Sequence, residues 1–278
     1  MVNKSDILDL MPERSFVRWM ASQGRDVYLL DWGEAKSDLG QSSIQHLIQQ
    51  KIIPSIGHIK TRHSACHLLG YCLGGTVVAA VSSLMSNLMQ SVVFLATPWD
   101  FHAGDPTMRQ LVSLASPSGQ WMMGHYGYLP MRWIQSIFAQ LDPQLTLEKF
   151  ASFAAIKEGD EKANVFVAVE DWINDGVDIP LSIAHTCIDD FYGKNAPAGG
   201  GWLVEGQKIR AEDIVSPSYV VLALRDKLVP PESSRALYAQ LPKADYLEVQ
   251  TGHIGLIAGS KAIQTVWQPI SDWLARHD

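Results

Sequence analysis

The 278-residue chain is short of charge and of cysteine, and each shortage narrows what it can be. Charged residues are 18% of the chain and the net charge is −7, so there is no basic surplus of the kind a nucleic-acid partner selects for. Its three cysteines, Cys66, Cys72 and Cys187, cannot all pair within one chain, and no secretory signal opens the sequence. A reducing cytoplasm is the expected compartment. No apolar run approaches the roughly 18 residues of a membrane-spanning helix. Internal repeats, low-complexity tracts, a phosphate-binding loop and a dinucleotide fingerprint are all missing. The histidines lack metal spacing: His63 and His67 are four apart but stand at a strand start rather than on a helix, so no metal site is expected.

What is present is apolar. At 47% hydrophobic the chain can bury one substantial core, and one domain carrying an insertion is expected. Nine tryptophans and nine methionines leave room for association with an apolar surface. The 3.6-residue spacing of Phe16, Trp19 and Met20 predicts a helix, and residues 25–31 read as a short buried strand. A second helical pattern covers residues 42–56, with Pro54 near its end. Apolar strand patterns follow at 67–70, 91–96, 218–224 and 244–249, with helices at 76–89 and 267–276. Strands alternating with helices predict a mostly parallel sheet covered on both faces. The rhythm breaks between residues 99 and 214, a stretch rich in tryptophan that ends in a Gly-Pro-rich loop. It reads as a helical cap inserted before the last two strands, leaving a core of residues 1–98 and 215–278. Met108, Trp121, Met122, Met123, Met131 and Trp133 read mostly as cap core, and a cap in this position makes a dry apolar pocket.

The stretch that carries chemistry is His67-Leu68-Leu69-Gly70-Tyr71-Cys72-Leu73-Gly74-Gly75-Thr76. A strand runs into a Gly-flanked turn and then a helix, the nucleophile elbow G-x-S-x-G with cysteine for serine. Gly70 and Gly74 are expected to remove side chains where strand and helix crowd the turn. The helix N-terminus behind Cys72 favours a thiolate and an oxyanion. A Gly-rich turn around an inert cysteine is the alternative, but two partners follow in the required order. Asp226 comes directly after a buried strand, and His253 lies in the Gly-bracketed loop Thr251-Gly252-His253-Ile254-Gly255 after the last one. Nucleophile, acid, histidine is the order of the α/β-hydrolase fold. In this reading His253 takes the thiol proton or pairs with the thiolate, Asp226 orients the imidazole, and the Leu73 N–H forms one arm of an oxyanion hole. Cys66 and Cys187 read as packing residues.

The box Gly70-Tyr71-Cys72-Leu73-Gly74-Gly75-Thr76 resembles the cysteine lipase box of polyhydroxyalkanoate synthases. The likeness extends to the block from Ile7 to Ser15, to Thr97-Pro98-Trp99-Asp100-Phe101, to Glu170-Asp171-Trp172, and to the loops holding Asp226 and His253. It therefore runs nearly end to end, closest to the short, class III type. Dienelactone hydrolases share the box but lack both the cap and the block from Ile7 to Ser15. The resemblance implies an α/β-hydrolase fold and an acyltransferase that polymerises 3-hydroxyacyl-CoA through a thioester on Cys72, with no cofactor beyond the CoA thioester itself. Asp226 could also help activate the attacking hydroxyl. A second synthase subunit or a homodimer, and a place on polymer granules, are further implications. Arg14, Arg18, Arg62 and Lys227 are candidates for the CoA phosphates, with solvated surface charge the plainer reading of each.

Two departures stand out. Family members carry a further N-terminal segment, including a central strand between residues 27–31 and the strand leading to Cys72. The expectation is that the sheet closes up in a new register or that the protein begins upstream, the second being favoured. The loop with Asn3 matches the family's other oxyanion arm. Thr251 stands where many synthases have glycine, and threonine resists a positive φ. Two rival functions use the same residues: a thioester or ester hydrolase, of the depolymerase or dienelactone hydrolase kind, and an inactive partner or granule-associated protein.

Overall fold

In the computed structural model, which describes residues 3–33, 42–85, 88–157 and 160–278, four parallel strands make the central sheet. They are β1 (His67–Tyr71), β2 (Ser91–Leu95), β3 (Ser218–Ala223) and β4 (Ala244–Val249), in the spatial order β4-β3-β2-β1. The two central strands, β2 and β3, are buried at every residue, as continuous apolar runs in a doubly covered parallel sheet should be. Successive side chains serve opposite faces. Val92, Phe94, Val220 and Leu222 pack with the helix Leu73–Leu84 and with Ile48 and Ile56. Val93, Leu95, Val221 and Ala223 meet Phe16, Met20, Val266, Trp267 and Trp273 on the other side. The α/β-hydrolase expectation holds in this layering.

Three local expectations are corrected. Residues 25–31 form no strand, and Tyr28 and Leu29 are exposed. Their composition suits a strand, but a strand exists only through a neighbour's ladder of hydrogen bonds, and among the described residues β1 is paired on its β2 side alone. Nor does the sheet close up across that edge: β1 and residues 25–30 both line one large cavity. Nor does the second helical pattern stop at about residue 56, just past Pro54. The helical path runs from Ile44 to Lys60 with a widened π-type stretch at Ile48–Ile52, and Pro54 falls at the start of the following Ile53–Lys60 segment. There the i→i−4 ladder is already interrupted, so the missing N–H costs little.

Between β2 and β3 the chain builds the cap from the helices Thr107–Tyr126, Met131–Leu141, Pro143–Ala154 and Glu161–Asn174, then Leu181–His185 and the π-helical Thr186–Gly193. Met108, Met123, Trp133 and Ile137 are buried in its interior, and Trp133 lies flat over Gly119 with its Nε1 donating to Ser118 Oγ at 2.9 Å. Trp121 is the exception, 64% exposed. The inner face of its helix is set by residues 108, 112, 119 and 123, which turns position 121 outward, where its indole stacks on His125.

The site is positioned by how closely the helix Leu73–Leu84 seats on the end of β1. A Cβ on Gly70 would overlap the backbone of Gly75, and a Cβ on Gly75 would overlap the side chain of Thr97. Gly74 faces open space. Gly70 is thus the glycine of the motif that the close approach requires, against the backbone of both Gly74 and Gly75, while Gly74 itself has room for a side chain. Gly70→Ala is expected to lower stability by about 1–3 kcal/mol through overpacking, and Gly74→Ala to leave it nearly unchanged, as read from urea denaturation midpoints.

Candidate active site

Cys72 is the single residue between β1 and the helix that follows, and it makes the turn with φ 55° and ψ −133°. This is left-handed territory that costs a non-glycine residue about 1–3 kcal/mol and is held only where surroundings dictate it. Here the Cys72 N–H donates to Leu95 O at 2.9 Å, and the Gly75 N–H donates to Cys72 O at 2.8 Å. The side chain is thrown out at the C-terminal edge of the sheet, where the Leu73 N–H and His253 both act on the thiol.

His253 reaches that point from the loop after β4. The loop is tied to its neighbour by Arg225 N–H donating to Thr251 O at 2.9 Å, and neither Thr251 nor Gly252 takes a positive φ. Threonine is therefore accommodated without strain at the position where glycine was expected. The His253 Nδ1 stands 2.5 Å from Asp226 Oδ2. The other Asp226 oxygen accepts from the Leu228 and Val229 N–H groups, both at 2.9 Å, so the buried carboxylate is fixed at both ends. The structure brings together Cys72, His253, Asp226 and Leu73.

Asn3 is different. Its side-chain amide donates to Trp172 O and Ile173 O at 3.1 and 3.0 Å and its backbone bridges to Gly176, so its hydrogen bonds run to the cap. The charges weighed for CoA are largely engaged elsewhere: Arg14 pairs with Glu161, Arg18 with Asp9 and Lys227 with Asp142.

The three thiols experience burial differently. Burial pushes Cys66 up, and it pushes Cys187 up to about 12. At Cys72 burial acts the same way, but the charge and hydrogen bond of His253 and the Leu73 N–H outweigh it, and the thiol lies below its ordinary value. His253 mirrors this. Burial presses it down, while the Cys72 thiolate and the Asp226 carboxylate raise it well above an ordinary imidazole. Each of the two groups thus favours the charged form of the other.

Two aromatic groups beside the pair carry no signal in the sequence. Tyr71 stacks on His253 with ring centroids 4.9 Å apart. Tyr192, from the cap, is half-buried and feels the charge of Cys72, and its desolvation keeps its hydroxyl protonated. Tyr71 could be suspected only from its place next to the nucleophile; Tyr192 is placed by the cap's tertiary packing.

The site opens on a cavity of about 2030 Å³, lined by Cys72, Leu73 and His253, by Tyr28, Leu29 and Leu30 from the segment before β1, and by Phe138, Leu141, Trp172 and Ile173 from the cap. Its walls are mainly apolar side chains. Glu170 and Lys149, also on the wall, hold each other at 2.7 Å.

No protein-family model matches the chain. Among curated proteins it is 29% identical over 279 residues to the poly(3-hydroxyalkanoate) polymerase subunit PhaC of Allochromatium vinosum, covering 99% of this chain and 78% of that one. It is 27% identical over 280 residues to the PhaC subunit of Haloferax mediterranei, covering 99% of this chain and 57% of that protein's length. The chain is similar to the poly(3-hydroxyalkanoate) polymerases over nearly its whole length. Solved structures agree on the fold: a monoacylglycerol lipase of Paleococcus ferrophilus superposes with a TM-score of 0.59 at 18% identity, over 95% of this chain and 88% of that one. A lipase-esterase related protein of Clostridium acetobutylicum gives 0.53 at 14% identity, over 99% and 90%. No helix among the described residues is long and apolar enough to cross a membrane.

The electrostatics predict selective chemistry. Iodoacetamide should alkylate Cys72 well before Cys66 or Cys187, with a pH midpoint below the roughly 8.5 of a free thiol. The labelling rate should fall only as pH drops through that lowered value. Asp226→Asn should raise the midpoint, because the imidazolium loses its fixed counter-charge. Peptide mass spectrometry across a pH series reads both.

Proposed function

We propose that the chain is an acyltransferase of the polyhydroxyalkanoate polymerase kind. The observation that carries the reading is a thiolate-favouring cysteine on a strained elbow, beside an imidazole that a fixed carboxylate orients. Kinship with the PhaC subunits supplies the substrate class. In this reading the Cys72 thiolate attacks the carbonyl carbon of a 3-hydroxyacyl-CoA thioester. A C–S bond to Cys72 forms as the C–S bond to CoA breaks, and the CoA sulfur leaves with the proton of His253. The Leu73 N–H faces the transient oxyanion. Neutral His253 then removes the proton from the hydroxyl of another monomer or chain end. The resulting alkoxide attacks the acyl-cysteine, an ester forms, and Cys72 returns as thiolate beside imidazolium. Asp226 holds the ring in the tautomer that both steps need.

Cysteine suits this sequence because exchange of one thioester for another is nearly balanced in energy, so the acyl group can wait for an alcohol. An apolar cavity supports the wait by limiting water. The reading assigns one oxyanion arm, Leu73, since the hydrogen bonds of Asn3 go to the cap. A product that grows into an insoluble polyester would place the working chain on a granule surface within the cytoplasm, and a second subunit or a second copy of the chain would fit there.

The test is release of free CoA from 3-hydroxybutyryl-CoA, with the product examined for polymer, by the chain and its Cys72→Ala variant. Polymer with CoA release, reduced at least about 10³-fold in the variant, is the expected result. Release with only free hydroxy acid would instead make the chain a thioester hydrolase. No release, with or without an added partner subunit, would leave the inactive-protein reading standing.

A further inference from the structure

The imidazole of His253 is held at Nδ1 by Asp226 and feels the charge of Cys72. What remains is the face of the ring, and Tyr71 covers it. The centroids are 4.9 Å apart and the planes 27° from parallel, inside the range at which a cation is drawn to an aromatic face. The phenol is also anchored, its hydroxyl donating to the His253 carbonyl oxygen at 3.2 Å. Its position is set by the chain: it is the last residue of β1, directly before the nucleophile.

We propose that Tyr71 is a positioning residue that selects the imidazolium form of His253, and with it the Cys72 thiolate, through the face of its ring. The inference rests on the nucleophile–imidazole reading given under the proposed function, though not on the identity of the acyl group. A flat ring on one face prevents the imidazole from rotating out of the line between Asp226 and Cys72. The electron-rich face also favours the charged ring over the neutral one, which adds to the pull of Asp226 and Cys72. The charged or titratable groups that bear on His253 are Cys72 from the start of the helix, Asp226 from the loop after β3, and Tyr71 itself. Cys187 and Tyr192, from the cap, interact with Cys72 instead. Burial holds the Tyr71 hydroxyl protonated, so it stays a donor and adds no charge of its own.

The test separates the ring from the hydroxyl and from simple packing. The rate of Cys72 carbamidomethylation is followed against pH in the parent, in Tyr71→Phe, and in a protein with pentafluorophenylalanine at position 71. The fluorinated ring keeps the shape of phenylalanine and reverses the polarity of its face. Tyr71→Phe is expected to keep the parent midpoint, and the fluorinated protein to raise it by about 0.5–1 pH unit. A merely structural role would leave these two variants alike, so equal midpoints overturn the inference. A raised midpoint in Tyr71→Phe overturns it as well, by assigning the effect to the hydroxyl. Asp226→Asn is the control. If it shifts the profile while the fluorinated ring does not, the inference about Tyr71 alone fails; if Cys72 titrates as an ordinary thiol in the parent, the underlying reading fails with it.

Discussion

Everything at this site depends on one residue making the whole turn from strand to helix. With β1 ending at Tyr71 and the helix beginning at Leu73, Cys72 must take φ 55°. The cost of that backbone, about 1–3 kcal/mol, is offset by its two backbone hydrogen bonds and by the burial of residues 77–81 against the sheet. The turn can be this tight only because Gly70 and Gly75 meet without side chains. Two consequences come together from the same geometry. The thiol stands clear of the sheet edge, and the first free N–H of the helix, on Leu73, points at it.

The second constraint is electrostatic, and the molecule carries its own comparison. Burial alone drives a thiol and an imidazole toward their neutral forms, and at Cys66 and Cys187 the thiols do move that way. Cys72 moves the other way because its burial is shared with a partner of opposite charge, itself held by a carboxylate. Removing any one member would leave an unpaired charge in an apolar setting, which is costlier than never burying it. Asp226 is the fixed point of the arrangement. Two N–H groups hold one of its oxygens, so the other can only face His253.

Much of this was legible in the sequence because it is encoded locally. Glycines flank Cys72, Asp226 follows a run of six buried residues, and His253 lies between Gly252 and Gly255; each is readable within a few positions. The central strands were legible for a similar reason, since a strand buried on both faces is simply an apolar run. Residues 25–31 show the limit. Their composition matches that of a strand, but pairing is a property of two segments and only one is visible in a linear pattern. Gly74 and Trp121 failed for a subtler reason: the motif and the residue type were right, but which side of a helix they occupy depends on a phase that neighbouring contacts set. Tyr71 stacks on a ring 182 residues away, a relation no local pattern holds.

The cap is joined to the core by ion pairs of one polarity. Asp142, Glu161 and Asp175 are the cap's contributions, and Lys227, Arg14 and Lys4 are the core's. Such pairs are partly exposed and worth about 0–1 kcal/mol each, too little to seat the cap. The stronger attachment is Trp172, half-buried, whose Nε1 donates to Lys4 O at 2.8 Å while its own carbonyl accepts from Asn3. Apolar packing and neutral hydrogen bonds therefore hold the cap against the core more than the ion pairs do. That division matters for the chemistry, because the same cap residues wall the cavity in front of Cys72. A wall seated by apolar contact limits the water that reaches the thiol, whereas one seated by exposed charges alone would loosen with salt and admit it.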